Sequence, residues 1–193
     1  MQGFFWSELI DFAGRHLPPE AVRGAVRAAW PEAPAHPDPG QPCPPERLVA
    51  LAGRLAAAEA ALAAEGALPA DAGAWLRRFG RALFARIAAT HAAFFVGLES
   101  SREFLLGFER QVHEELRRLG RGLAPPRIGC EPLGPRRVAI AYRSERGLAD
   151  LAHGMLEGCL AHFGDKGLVT RERGGDDGAE RFVVELAPRE DAP

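Results

Sequence analysis

Two groups of residues in this sequence have types and spacings that could do chemistry. His113 stands at the edge of an apolar stripe formed by Phe104, Leu105, Phe108, Val112, Leu116 and Leu119, whose spacing puts them on one face of a helix. A neutral imidazole so placed is a good metal ligand. Taken alone, a histidine at such an edge is more often a partly buried structural residue or a surface one. The second group is Tyr142, Ser144 and Arg146, which supply a phenol, a hydroxyl and a guanidinium at alternate positions. A chain leaving a strand could turn all three donors toward one anion, with the guanidinium binding in bidentate fashion. The plain alternative is a strand end carrying a solvated charge run.

The elements that must hold these residues change period along the chain. From about Phe4 to Leu119 the pattern is helical, with candidates at Glu8 to His16, Pro19 to Ala29, Pro45 to Glu65, Ala70 to Thr90 and Ser101 to Gly120. Prolines between Pro31 and Pro45 forbid regular helix there and predict a surface loop. The last helix has the clearest start, because Ser100 and Glu103 stand at capping-box spacing. Beyond Pro125 and Pro126 the period shortens. Strands are expected near Arg127 to Glu131 and Val138 to Tyr142, a helix from Gly147 to Phe163, and a hairpin from Leu168 to Arg173 and Arg181 to Leu186 around the glycine-rich stretch Gly174 to Gly178. The predicted C-terminal half is therefore β-β-α-β-β with an antiparallel sheet.

Composition narrows the function. The apolar fraction of 47% and charged fraction of 26% suit a water-exposed globular domain, and a net charge of -2 provides no field to gather nucleic acid or an anionic membrane. Neither a signal peptide nor a membrane span is expected, because Glu8 and Asp11 come early and no apolar run nears the roughly 20 residues a span needs. Cys43, Cys130 and Cys159 are odd in number and far apart, which suits free thiols in a reducing cytoplasm. No nucleotide-binding glycine loop, kinase signature or nucleophile-base pair is present, so no enzymatic activity is expected.

Taken together and in order, these pieces resemble the H-NOX (haem nitric oxide/oxygen binding) family along essentially the whole chain. The sequence opens Met-x-Gly with Met1 and Gly3, places His113 on a long helix, follows it with the Pro125-Pro126 pair, and then shows Tyr-x-Ser-x-Arg at Tyr142, Ser144 and Arg146. The resemblance implies an α+β fold in which a helical N-terminal lobe (1–65, distal) and a C-terminal lobe (66–193, proximal, with a four-stranded antiparallel sheet and helices) enclose one haem b between them, the whole chain 1–193 being one domain. It implies that His113 is the iron ligand, that Tyr142, Ser144 and Arg146 hold the haem propionates, and that Pro126 presses on the porphyrin. One axial protein ligand leaves the opposite face open to a diatomic gas.

Oxygen-binding members of the family carry a distal tyrosine where this chain has Leu151, and supporting polar residues where it has Leu9 and Leu83. Bound dioxygen carries partial negative charge and needs a hydrogen-bond donor, whereas nitric oxide binds ferrous haem without one. A lining of Phe5, Leu9, Phe79, Leu83 and Leu151 therefore predicts a sensor of nitric oxide that also takes CO. Each of these residues has a plainer role open to it as core. The family's zinc site is not expected, because Ala149 and Phe182 stand where cysteines would be. The resemblance further implies that nitric oxide weakens the bond to His113, that the helical lobe then rotates, and that a partner protein, a histidine kinase or a cyclic-di-GMP enzyme in stand-alone bacterial members, reads the change. The rival readings are an oxygen- or redox-sensing haem protein, a peroxidase-like haem enzyme, and a haem-free scaffold of the same fold.

Overall fold

The computed structural model describes residues 2–32, 43–63, 71–108, 127–143, 147–173 and 180–188. Two compact units divide the chain, Met1–Ala82 with Arg146–Gly154, and Leu83–Glu145 with Met155–Pro193. The first is helical, the second carries the sheet.

In the helical unit, α1 spans Gln2–Gly14, α2 Pro19–Ala29 and α3 Pro45–Leu62. The helix α1 starts six residues before the expected Glu8, because the buried stripe already begins at Trp6 and continues through Leu9, Phe12 and Ala13. Proline opens both α2 and α3, each after an extended Pro18 or Pro44, which uses its fixed φ where no N–H is needed. Each helix buries one stripe, Val22, Ala25 and Ala29 in α2 and Leu48, Leu51, Ala52, Leu55 and Ala56 in α3. The next helix, α4, spans Ala72–Thr90 and enters the second unit after Ala82. It begins two residues later than expected because Asp71 caps it, its Oδ1 accepting from the Ala74 N–H at 2.7 Å.

Trp75, Leu76 and Phe79 bury the inward face of α4 in this unit, and Trp75 and Phe79 both pack on Phe12. The helix α6 (Ala149–His162) meets α4 in the same unit at two small residues. A Cβ on Gly154 would collide with the Arg77 carbonyl oxygen, and one on Gly73 would press on the Asp150 carboxylate. Arg77 and Asp150 close the crossing with an ion pair at 3.0 Å.

The sheet unit holds a short 3-10 turn, Ala92–Phe95, and the helix α5, described over 101–108. Its strands are β1 (Arg127–Gly134), β2 (Arg137–Arg143), β3 (Gly167–Arg173) and β4 (Glu180–Leu186). All pair antiparallel in the order β1-β2-β4-β3. The α+β architecture and the four antiparallel strands are as the sequence predicts; the β3 and β4 pairing stands, while the glycine-rich turn joining them lies outside the described residues. The strand β1 runs past the expected Glu131 to Gly134, since Pro132 sits on an edge strand where a missing N–H is tolerated, and the register shifts between Pro132 and Gly134. One face of the sheet is apolar: Val138 pairs with Val184 and Ile140 with Phe182, and Val184 pairs in turn with Val169. The other face is crossed by ion pairs, Arg137 with Glu185 and Arg181 with Glu172.

Candidate functional site

Strand β2 delivers Tyr142 at its penultimate position, on the same face as Val138 and Ile140 by the two-residue period. It is half-buried, its ring lies 6.3 Å from that of Phe182, and its strand neighbours are Ile128 in β1 and Glu180 in β4. Glu180 would place a carboxylate beside any anion held here, but Arg171 clamps it through two bonds, Nε to Oε2 at 2.9 Å and Nη2 to Oε1 at 2.6 Å. Further along, Gly147 has a φ of 63° that turns the chain toward α6, with Leu148 and Ala149 buried immediately after. Ser144 and Arg146 lie outside the described residues, as do His113, Pro126 and Met1.

The residues expected to line the gas-binding face are described, and they are apolar and enclosed. Leu9 and Phe79 are 0% and 1% exposed and Leu151 is 4% exposed, all within the helical unit; Phe5 is half-buried against Phe4. Leu83, in the sheet unit, is 1% exposed. One nearby donor escaped the sequence reading. Trp6 on α1 is fully buried, its ring stands edge-on to Trp30, and its indole N–H has no hydrogen-bond acceptor among the described residues. Its signal in sequence is an indole on the stripe shared with Leu9, which reads as ordinary core.

The start of α5 shows the capping box that the sequence predicts. Ser100 Oγ accepts from the Glu103 N–H at 3.2 Å, while the Glu103 carboxylate reaches one residue further back than the usual box and accepts from the Glu99 N–H at 2.8 Å.

Other ionisable groups are structural in their surroundings. Glu59 accepts from the Trp75 indole at 3.0 Å and from Arg78 at 2.8 Å, and Arg78 lies over the Trp75 ring. Burial, and then the Arg78 charge, hold the His16 imidazole below its ordinary pKa. Burial, helped by Glu46, pushes the Cys43 thiol up to about 11, and Cys159 is raised further by burial. Both are therefore protonated and unreactive near neutrality. Among the described residues, no three His, Cys, Asp or Glu side chains gather to hold a metal ion, and no helix is long and apolar enough to cross a membrane.

This arrangement of helices and sheet defines a class of α+β domain already seen in solved structures. The chain overlays the unliganded Fe(II) H-NOX protein from K. algicida with a TM-score of 0.82 at 15% identity, covering 100% of each chain. It overlays the Fe(II)NO H-NOX protein from S. oneidensis with a TM-score of 0.81 at 18% identity, covering 97% of this chain and 100% of that one. An oxygen-binding H-NOX domain related to soluble guanylate cyclases, solved as its oxygen complex, matches with a TM-score of 0.73 at 19% identity, covering 97% and 96%. No curated protein matches the sequence. Residues 55–170, more than half of the chain, match the family described as haem-NO-binding. The chain belongs to that family of haem-binding gas-sensor domains.

The types of the described residues suit such a cofactor. A porphyrin asks for hydrocarbon around its ring and donors at its acidic edge. Leu9, Phe79 and Leu151 in the helical unit are side chains of the first type, as is Leu83 in the sheet unit, and the Tyr142 phenol, beside a Glu180 charge that is already paired, is of the second.

Proposed function

We propose that the chain is a single domain over 1–193, with a distal subdomain at 1–65 and a proximal subdomain at 66–193, that binds haem b and senses nitric oxide, taking CO as well. When bound, the haem supplies a ferrous iron with one open position for a diatomic gas. His113 would hold that iron as a neutral imidazole, and Pro126 would pack on the ring. Tyr142, Ser144 and Arg146 grip the propionates, with Arg146 contributing the charge and the bidentate fork. Met1 is a further cofactor-binding residue, and Phe5, Leu9, Phe79, Leu83 and Leu151 surround the gas side. They exclude water and offer bound dioxygen no donor.

The observation that carries this reading is that Leu9, Phe79, Leu83 and Leu151 are all buried hydrocarbon side chains. A site lined this way discriminates against oxygen by omission, because an anionic ligand in it meets no hydrogen bond. Release of His113, with the lobe rotation the family implies, is the signal that a partner protein reads, a histidine kinase or a cyclic-di-GMP enzyme. The domain itself is read as non-enzymatic, cytoplasmic and bacterial. The test is the absorption spectrum of the purified ferrous protein. A Soret band that shifts with nitric oxide and with CO, and no stable oxy form in air, supports the reading; protein that shows no Soret band after haem supplementation supports the haem-free scaffold instead.

A second reading, an oxygen-binding sensor, is favoured by the buried indole N–H of Trp6, a donor on the helix that carries Leu9 with no acceptor among the described residues. A stable oxy spectrum in air that disappears in Trp6→Phe selects it.

A further inference from the structure

The root of α5 is fixed more firmly than a helix start requires. The capping box formed by Ser100, Glu103 and the Glu99 N–H already satisfies local free amides. Asp165, in the turn after α6, nevertheless reaches the same place from far along the chain. Its Oδ2 accepts from the Ser101 N–H at 2.8 Å and from Ser101 Oγ at 2.7 Å, and Ser101 is 0% exposed. A carboxylate there is also favoured by the positive end of the helix dipole.

Two further contacts hold the same turns. Phe104 is stacked on Phe95 at 5.0 Å and meets Phe84 edge-on at 5.6 Å. Arg102 donates to the Gly134 carbonyl, at the turn joining β1 and β2, at 3.4 Å. The turn after α6, the 3-10 turn and the β1–β2 turn therefore all grip residues 101–104. A local cap stabilises a helix wherever it lies; only bonds to other elements fix its place. Asp165 makes the two shortest of the polar ones, at 2.8 and 2.7 Å against 3.4 Å for Arg102, and both are accepted by a carboxylate.

We propose that Asp165 is a positioning residue for the axial ligand. By locking Ser101, it fixes the root of α5, the described helix of residues 101–108 from which the chain leads on to His113, and so holds the start of the segment that carries the ligand. The inference rests on the reading of His113 as the iron ligand.

The test compares Asp165→Ala with Ser100→Ala, which removes the local cap and keeps the lock. Amide hydrogen exchange is read at 101–108, and the iron-histidine stretching band is read by resonance Raman on the ferrous haem-loaded protein. Asp165→Ala is expected to speed exchange across 101–108 about tenfold, the loss of a hydrogen bond to a charged acceptor, and to shift or broaden the band. Ser100→Ala is expected to lower the melting temperature and leave the band in place. Asp165→Asn, whose side-chain oxygen still accepts, should restore the band toward its wild-type position. Should Asp165→Ala fail to fold, Ser101→Ala deletes one of the two donors and should give the same changes in smaller measure. Unchanged exchange and an unchanged band in these variants would overturn the proposal, as would a band shift of equal size in Ser100→Ala. Wild-type protein that binds no haem defeats the His113 reading instead, and the exchange comparison then decides alone whether Asp165 locks the root.

Discussion

The gas-side candidates in the helical unit and the tyrosine end of the sheet are built on opposite rules. Leu9, Phe79 and Leu151 are hydrocarbon and almost wholly enclosed, whereas Tyr142 is a polar, half-buried group whose neighbour Glu180 is neutralised by Arg171. One region works by withholding polar groups, the other by supplying a few in fixed places. The difference teaches that the two should fail separately: change in the first alters stability and gas preference, change in the second alters how tightly the cofactor is kept.

The largest effect is expected from Phe79→Ala, which empties a fully buried aromatic site packed on Phe12 and should cost about 3–5 kcal/mol by denaturant unfolding. A loss below about 1 kcal/mol would show that the site is not closely packed. Arg146→Ala comes next. Deleting a charged hydrogen bond worth about 1.5–3 kcal/mol should raise the haem dissociation rate roughly tenfold or more, measured by transfer to apomyoglobin, while nitric oxide and CO spectra stay as they were. A changed gas preference with normal retention would break the division of labour. Leu151→Tyr should do the converse: it gives the gas side a donor, so a persistent oxy spectrum in air is expected with haem retention unchanged, at a packing cost of about 1–3 kcal/mol.

The smallest effect belongs to His16, which lies outside both regions. Its pKa is lowered on folding, so the folded state binds the proton less readily than the unfolded chain. The contribution is therefore fully present above the ordinary histidine value of about 6.5 and is lost as pH falls below it. Melting temperature measured from pH 8 to pH 5 should fall slightly less steeply in His16→Gln than in the wild type; an identical slope removes His16 from the account.

Much of the fold was legible because it rests on local chemistry. Prolines at the starts of α2 and α3, the Ser100 and Glu103 cap, and the alternation of Val138, Ile140 and Tyr142 each act within a few residues, and each element formed where those signals stand. What the sequence concealed depends on distant partners. The start of α1 at Gln2 follows from burial of Trp6, the β1-β2-β4-β3 order from pairing across the α6 segment, and the Ser101 bond to Asp165 from a turn far along the chain. Nothing local marks Gly154 as the point where α6 touches the Arg77 backbone. The candidate site divides in the same way. Its polar members are visible as a motif because the types are specific, while Leu9, Phe79, Leu83 and Leu151 look like any other core residues until a family pattern gives them a place.

The most direct measurement of the central claim is resonance Raman spectroscopy of the ferrous, gas-free protein beside its His113→Gly variant. The account predicts an iron-histidine stretching band in the wild type, its absence from His113→Gly, and the appearance of an iron-imidazole band when free imidazole is added to the variant. A band that persists unchanged in His113→Gly would contradict the account, because the iron would then be held by another residue.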